Sequence, residues 1–273
     1  MNNLVYVIMD SCRYDNCIEA RKPNMEKLGR IERRYSFASW TSPAHYVYLM
    51  GMTPHVNPPG VFASEVYKED FTKWTDRLGV PNLEFKTFLP EISLPNLLIK
   101  LGYKTVGKVS LPVLNRFTTF SNYFDDYKLM EEHNDFAGMI DEIEFNSGRP
   151  TFYFLNLGET HYPYMLEGET PHLHGVHGVL KHLGDAVTTE KFKGSKSENF
   201  FDQEQLDKFK KKQVECIEYV DALLDKLYRK CLPNTYIIIT SDHGELFGED
   251  GFFGHGPIFH EKVFEVPFVE GKV

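Results

Sequence analysis

Three stretches of the chain are apolar without interruption and rich in β-branched or aromatic residues. They are Leu4 to Asp10 (LVYVIMD), Phe152 to Leu157 (FYFLNL) and Tyr236 to Asp242 (YIIITSD). A strand apolar on both sides is one buried on both faces of a sheet, so these runs predict central parallel strands. Two of them end in an acid, and the third is followed by Glu159, Thr160 and His161. Between them the pattern turns helical: Pro23 to Ile31, a segment after Pro43 closing at Gly51, Leu94 to Leu101 ending at Gly102, and a long stretch from Gln203 to Arg229. In that last stretch Leu206, Phe209, Ile217, Val220, Leu224 and Leu227 recur at three- and four-residue steps, while Lys208, Lys210, Lys211 and Lys212 form a solvated face. Strands alternating with helices predict an α/β fold, a mostly parallel sheet with helices on both faces. Such sheets bind ligands beyond the carboxyl ends of their strands, which is where Asp10 and Asp242 fall. Residues 1–273 read as a single domain with insertions around 54–90 and 164–199, the second carrying His172, His174, His177 and His182.

Composition narrows the partners. The 273 residues are 42% hydrophobic and 25% charged, as in a folded globular domain, and the formal charge is -9. No broad basic field is available for nucleic acid or for an anionic membrane surface. No apolar run approaches the roughly 18 residues that span a bilayer, and the first apolar run is too short and lacks the basic flank of a signal sequence. A cytoplasmic protein acting on a small molecule is therefore expected. The four cysteines show no C-x-x-C pair and are expected as reduced thiols.

Candidate chemistry sits at the strand ends. Ser241-Asp242-His243-Gly244-Glu245 follows one buried strand and Asp10 ends another, so two carboxylates and an imidazole can converge. A single strand-end acid commonly caps a helix, but two such ends with a neighbouring histidine suit Zn²⁺ or Mn²⁺. Ser39-Trp40-Thr41-Ser42-Pro43-Ala44-His45 supplies hydroxyls just before a proline suited to the first turn of a helix. The unpaired N–H groups there attract an oxyanion, and a nearby cation activates a hydroxyl. On local chemistry Ser39, Thr41 and Ser42 are all candidate nucleophiles.

Together these segments resemble the alkaline phosphatase superfamily, on its sulfatase-like branch. Asp10 in VIMDSCRYD resembles the first metal-binding acid, TSPAHYVYLMG (41–51) the nucleophile segment, and TSDHGELFGEDG the second metal motif. Counting back ten residues from Gly51 selects Thr41, and Pro43 falls where the family's proline belongs. Two departures matter. A threonine cannot be oxidised to the formylglycine of the type I sulfatases, and His45 stands where their arginine would be. The paired acids of calcium sulfatases are also replaced, by Asp10-Ser11 and Asp242-His243. Similarity is greater to members with a threonine nucleophile, such as nucleotide phosphodiesterases and phosphoethanolamine transferases.

The resemblance implies a metal-dependent phosphoester hydrolase, a phosphodiesterase or phosphomonoesterase, working through phosphothreonine at Thr41. It implies a divalent ion, Zn or Mn, held by Asp10, Thr41, Asp242 and His243, with a second ion possible through His161 and His255. The alternatives it leaves open are phosphoryl transfer to a soluble acceptor, sulfatase-type hydrolysis and a non-catalytic binding module. Lys108 in GYKTVGK (102–108), His161 in THYPY (160–164) and His255 in GHGP (254–257) resemble family positions that contact the anionic ester, while Arg13 and Asp15 resemble the pair that orients the Asp10 loop. The segment Glu265-Val266-Pro267-Phe268 resembles a strand near the end of the family's catalytic domain. The histidines at 172, 174, 177 and 182 are expected in a polar loop rather than a metal-binding tract.

Overall fold

The computed structural model describes residues 1–51, 93–122, 124–145, 148–166, 203–256 and 258–273. The first insertion, all but the start of the second, and the four histidines of the second lie outside these residues. The main sheet contains β1 (Asn3–Met9), β2 (Glu32–Tyr35), β3 (Lys104–Val109), β4 (Asp126–Leu129), β5 (Thr151–Leu157), β6 (Thr235–Thr240) and β9 (Glu265–Lys272). Its order is β2-β9-β6-β1-β5-β3-β4. The run from β6 to β4 is parallel throughout, whereas β9 is antiparallel to both β6 and β2. A small hairpin, β7 (Leu246–Phe247) with β8 (Phe253–Gly254), follows β6. The expected mostly parallel α/β fold is present.

The central position of β1 explains its sequence. Val5, Val7 and Met9 face a core shared with the long helix, and Ile8 faces a second core on the opposite side of the sheet. Each fully buried side chain of this size is stabilising by about 1.5–3 kcal/mol, so neither face can tolerate polar residues. The helices are α1 (Tyr14–Glu19), α2 (Pro23–Leu28), α3 (Thr41–Met50), α4 (Leu94–Lys100), α5 (Phe136–Asp141), α6 (Gln203–Lys230) and α7 (Glu261–Phe264). Helix α6 buries Ile217, Val220, Leu224 and Leu227 completely against the β1 and β5 face, matching its three- and four-residue spacing. Helix α3 packs Val47, Leu49 and Met50 into the other core with Phe152 and Phe154. It ends at Gly51, whose φ of 63° is the left-handed conformation that closes helices and favours glycine. Among the described residues, no helix is long and apolar enough to cross a membrane.

Candidate functional site

Asp10 and Asp242 leave the carboxyl ends of the neighbouring parallel strands β1 and β6, so the sheet itself brings the two acids together. Both are fully buried, as is His243. One ligand atom from each of Asp10, Asp242 and His243 lies within 4.8 Å of the others. His243 Nε2 is 3.3 Å from Asp242 Oδ2 and 3.8 Å from Asp10 Oδ1.

Local hydrogen bonds aim these atoms inward. Ser11 adopts a φ of 60°, a strained conformation for a residue with a Cβ, and its N–H donates to Asp242 Oδ1 at 3.0 Å. The His243 N–H donates to the same oxygen at 2.9 Å. Asp242 Oδ2 is left buried without a hydrogen-bond partner, which is costly unless something positive faces it. Asp10 Oδ2 accepts from Asn156 Nδ2 at 2.9 Å. His243 Nδ1 lies 2.9 Å from the Gly244 carbonyl, which can only accept. The proton therefore sits on Nδ1, and Nε2 turns its lone pair to the carboxylates. Gly244 is required because a Cβ there would lie 2.0 Å from the Lys262 carbonyl oxygen.

The electrostatics fit a cation. Burial pushes Asp242 well above the ordinary carboxylate range, reinforced by the neighbouring Asp10. Burial also opposes charge on Asp10, but His161, His243, His45 and the Asn156 hydrogen bond outweigh it and bring that carboxyl down to about 2. His243 is held well below its ordinary value by burial and by His255, so it stays a neutral ligand. Two carboxyl groups, that of Asp242 with its orphaned oxygen, and a neutral imidazole lone pair form a donor set suited to a divalent ion such as zinc. Among the described residues no second group of three such donors closes as tightly, so the second ion left open at His161 and His255 gains no preformed cage.

Of the three candidate hydroxyls, Thr41 is the one beside this triad. It is the first residue of α3, and its Oγ1 is 3.4 Å from Asp10 Oδ1 and 3.4 Å from His243 Nε2. Ser42 lines the adjoining cavity instead, and the Ser39 carbonyl accepts from the Gly256 N–H. His45, one turn along α3, donates from Nδ1 to the Thr41 carbonyl at 2.8 Å and receives Asn156 Nδ2 at its Nε2, 3.3 Å away. Asn156 thus ties α3 to Asp10, a role that its place in an apolar strand gave no sign of.

A cavity of about 610 Å³ opens beside Thr41. Its lining carries His133, His161 and His255 together with Trp40, Leu111, Pro112, Val113, Tyr162 and Met165. The imidazoles form a row: ring centres are 4.2 Å apart for His243 and His255, 5.2 Å for His255 and His161, and 5.6 Å for His161 and His133. His255 Nδ1 is 2.9 Å from Glu245 Oε1; burial opposes its charge, but this carboxylate raises its pKa overall. His161 donates from Nδ1 to the Tyr162 carbonyl at 2.7 Å. His133 is lowered to about 4 by burial and by His161, so it is neutral near pH 7. No motif pointed to His133, which sits in the polar run Glu131-Glu132-His133-Asn134-Asp135.

Lys108 is not brought to the site. It shares with Val106 the face of β3 that packs toward α5, and its ammonium bonds the carboxylate of Glu142, the residue capping the end of α5. The expected substrate contact is a structural ion pair, because the alternation of β3 points residue 108 to the face away from Thr41. Glu159, the acid nearest His161 in sequence, is likewise occupied elsewhere, accepting from the Phe136 N–H at the start of α5. Arg13 does hold the loop after β1: it pairs with Asp15 at 2.5 Å and with Glu249 at 2.5 Å.

Several solved structures share this architecture. The C-terminal periplasmic domain of EcEptC from Escherichia coli, in complex with Zn, is 15% identical with a TM-score of 0.58, covering 99% of this chain and 72% of that one. Phosphonate monoester hydrolase of Agrobacterium radiobacter is 15% identical with a TM-score of 0.60, covering 100% and 68%. A putative sulfatase, yidJ, from Bacteroides fragilis is 17% identical with a TM-score of 0.57, covering 99% and 68%. At such identities the likeness establishes the fold. No curated protein matches by sequence. The Sulfatase family model, however, matches residues 2–269, nearly the whole chain. With an alkaline phosphatase-like sheet beneath its strand-end triad, the chain belongs to the Sulfatase family.

Proposed function

We propose that the chain is a metal-dependent phosphoester hydrolase, a phosphodiesterase or phosphomonoesterase, with the Thr41 hydroxyl as nucleophile. The observation that carries this reading is the placement of Thr41 Oγ1, 3.4 Å from both Asp10 Oδ1 and His243 Nε2 at the start of α3. Asp10, Asp242 and His243 would hold the divalent ion, with Thr41 Oγ1 at its edge. Zinc and manganese both suit these donors, and the zinc complex of the Escherichia coli neighbour supports zinc. The chemistry such an ion supplies when bound is positive charge, which favours the alkoxide of Thr41 and polarises the ester.

The chain's own groups do the rest. Thr41 Oγ1 attacks phosphorus as the ester alcohol departs, giving phosphothreonine, and the hydroxyl proton passes to solvent. The unpaired N–H groups in the first turn of α3 favour the anionic oxygens. His161 and His255 stand in the cavity beside Thr41, where an imidazolium protonates the leaving oxygen and the same ring then serves water in the second step. A threonine hydroxyl, rather than a formylglycine precursor, is what favours phosphate over sulfate esters.

The test is hydrolysis of bis-p-nitrophenyl phosphate, p-nitrophenyl phosphate and p-nitrophenyl sulfate by stripped protein resupplied separately with zinc, manganese, magnesium or calcium. Phosphate-ester turnover that needs metal and is lost in Thr41→Ala is expected. Turnover of the sulfate alone would overturn the reading from threonine. Silence with every metal, despite tight metal binding, would favour a transferase with its own acceptor or a binding module.

A further inference from the structure

If Thr41 attacks a phosphoester, the surfaces around it also select which ester arrives. Resting on that reading, we infer that the cavity takes a monoanionic phosphodiester, one of whose ester groups is apolar and about the size of an aromatic ring. Beside the histidines and the hydroxyls of Thr41 and Ser42, the lining is apolar or aromatic: Leu111, Tyr162 and Met165 are buried, and Trp40, Pro112 and Val113 complete this wall. At about 610 Å³ the cavity has room for a phosphate and a ring together. A ring laid on that wall leaves water, while its phosphate lies in the cavity that Thr41, His161 and His255 also line.

Charge selects the monoanion. Among the described lining residues there is no lysine or arginine, the groups that a doubly charged phosphomonoester would call for. Lys108 is committed to Glu142 on the other side of the sheet.

The experiment compares phenyl p-nitrophenyl phosphate with methyl p-nitrophenyl phosphate, two monoanions with one leaving group, in the zinc-loaded protein. The expected kcat/KM ratio is about tenfold or more in favour of the phenyl ester, from the area a ring removes from water. In Val113→Asp, at a position 53% exposed, and in Met165→Ala, the ratio is expected to fall to about threefold or less as the wall is made polar or opened. A ratio near one, or one untouched by both substitutions, overturns the proposal. Faster turnover of p-nitrophenyl phosphate than of the phenyl diester overturns the preference for a monoanion. A second readout separates this from the hydrolase reading: calorimetric titration of zinc-loaded Thr41→Ala with diphenyl phosphate and with dimethyl phosphate. Tighter binding of diphenyl phosphate by about tenfold sustains the pocket even if no ester is turned over. Equal affinity, or binding of neither, overturns it whatever the activity.

Discussion

The triad at the ends of β1 and β6 and the histidine-lined cavity beside it are built in opposite ways. Asp10, Asp242 and His243 are fully buried, lie on the exits of adjacent strands, and are each held by a backbone group or by Asn156. The cavity is assembled from segments far apart in the chain: His133 after β4, His161 after β5, and His255 after β8. Strand ends are fixed by the sheet to a fraction of an ångström, whereas loops are free to vary around them. A fold constructed this way keeps one reaction centre while its loops change the ester.

Breaking the rigid half has the largest consequence. Asp242→Asn keeps the shape of the side chain but removes the charge that its orphaned Oδ2 directs at the centre. We expect kcat/KM to fall by about a thousandfold or more, with zinc content after dialysis falling in parallel. Full zinc occupancy in that variant would show that Asp242 is not a ligand. The next effect is on the support of that centre. Asn156→Ala removes the donor to Asp10 Oδ2 and to His45 Nε2, and a loss of about 10- to 100-fold in metal affinity or activity is expected. Asn156→Asp should fare no better, because it sets a carboxylate against Asp10. The softer half responds less: His133→Ala leaves every donor of the triad in place and should change kcat/KM by about tenfold at most. A loss for His133→Ala as large as that for Asp242→Asn would erase the distinction between the two regions.

The same contrast decides what was legible in the sequence. Asp10, Asp242 and His243 stood out because each follows a continuous apolar run, and a run of that kind is a buried strand with a defined exit. Thr41 was reached through the resemblance alone: counted back ten residues from Gly51, the glycine that closes the similar nucleophile segment and here ends α3, it is the residue selected from three local candidates. The long helix was read nearly to the residue from its apolar spacing. By contrast β2, Glu32–Tyr35, is exposed along its length and exists through pairing with β9, a long-range contact that leaves no local pattern. His133 and His161 meet because β4, β3 and β5 are neighbours in the sheet, an order no local segment encodes. Lys108 was misplaced for a related reason: the motif named the residue, but the face it occupies depends on the register of β3 within the sheet.

Lys108 also provides the smallest and sharpest test. In the structure its ammonium is bonded to Glu142, whose carboxylate is 40% exposed and also pairs with Lys128 at 2.5 Å. Lys108→Met keeps the aliphatic stem and removes the charge, so KM for an anionic ester should stay within about twofold of the parent, because the lost group touches no substrate. A tenfold rise in KM would mean that the lysine leaves Glu142 to reach the ester, and the division between centre and surface would fail there. Stability gives an independent check with a fixed sign. Lys108 and then Lys128 hold the Glu142 carboxyl below its ordinary value of 4.5. A depressed carboxyl stabilises the fold above that value and loses the contribution as the pH falls through its folded pKa. Lys108→Met should therefore lower the melting temperature slightly at pH 7, by about 1 kcal/mol or less for a pair whose carboxylate is solvent-screened and keeps Lys128, and the gap should close in acid. A gap that persists unchanged at low pH would trace the loss to packing of the lysine stem rather than to its charge.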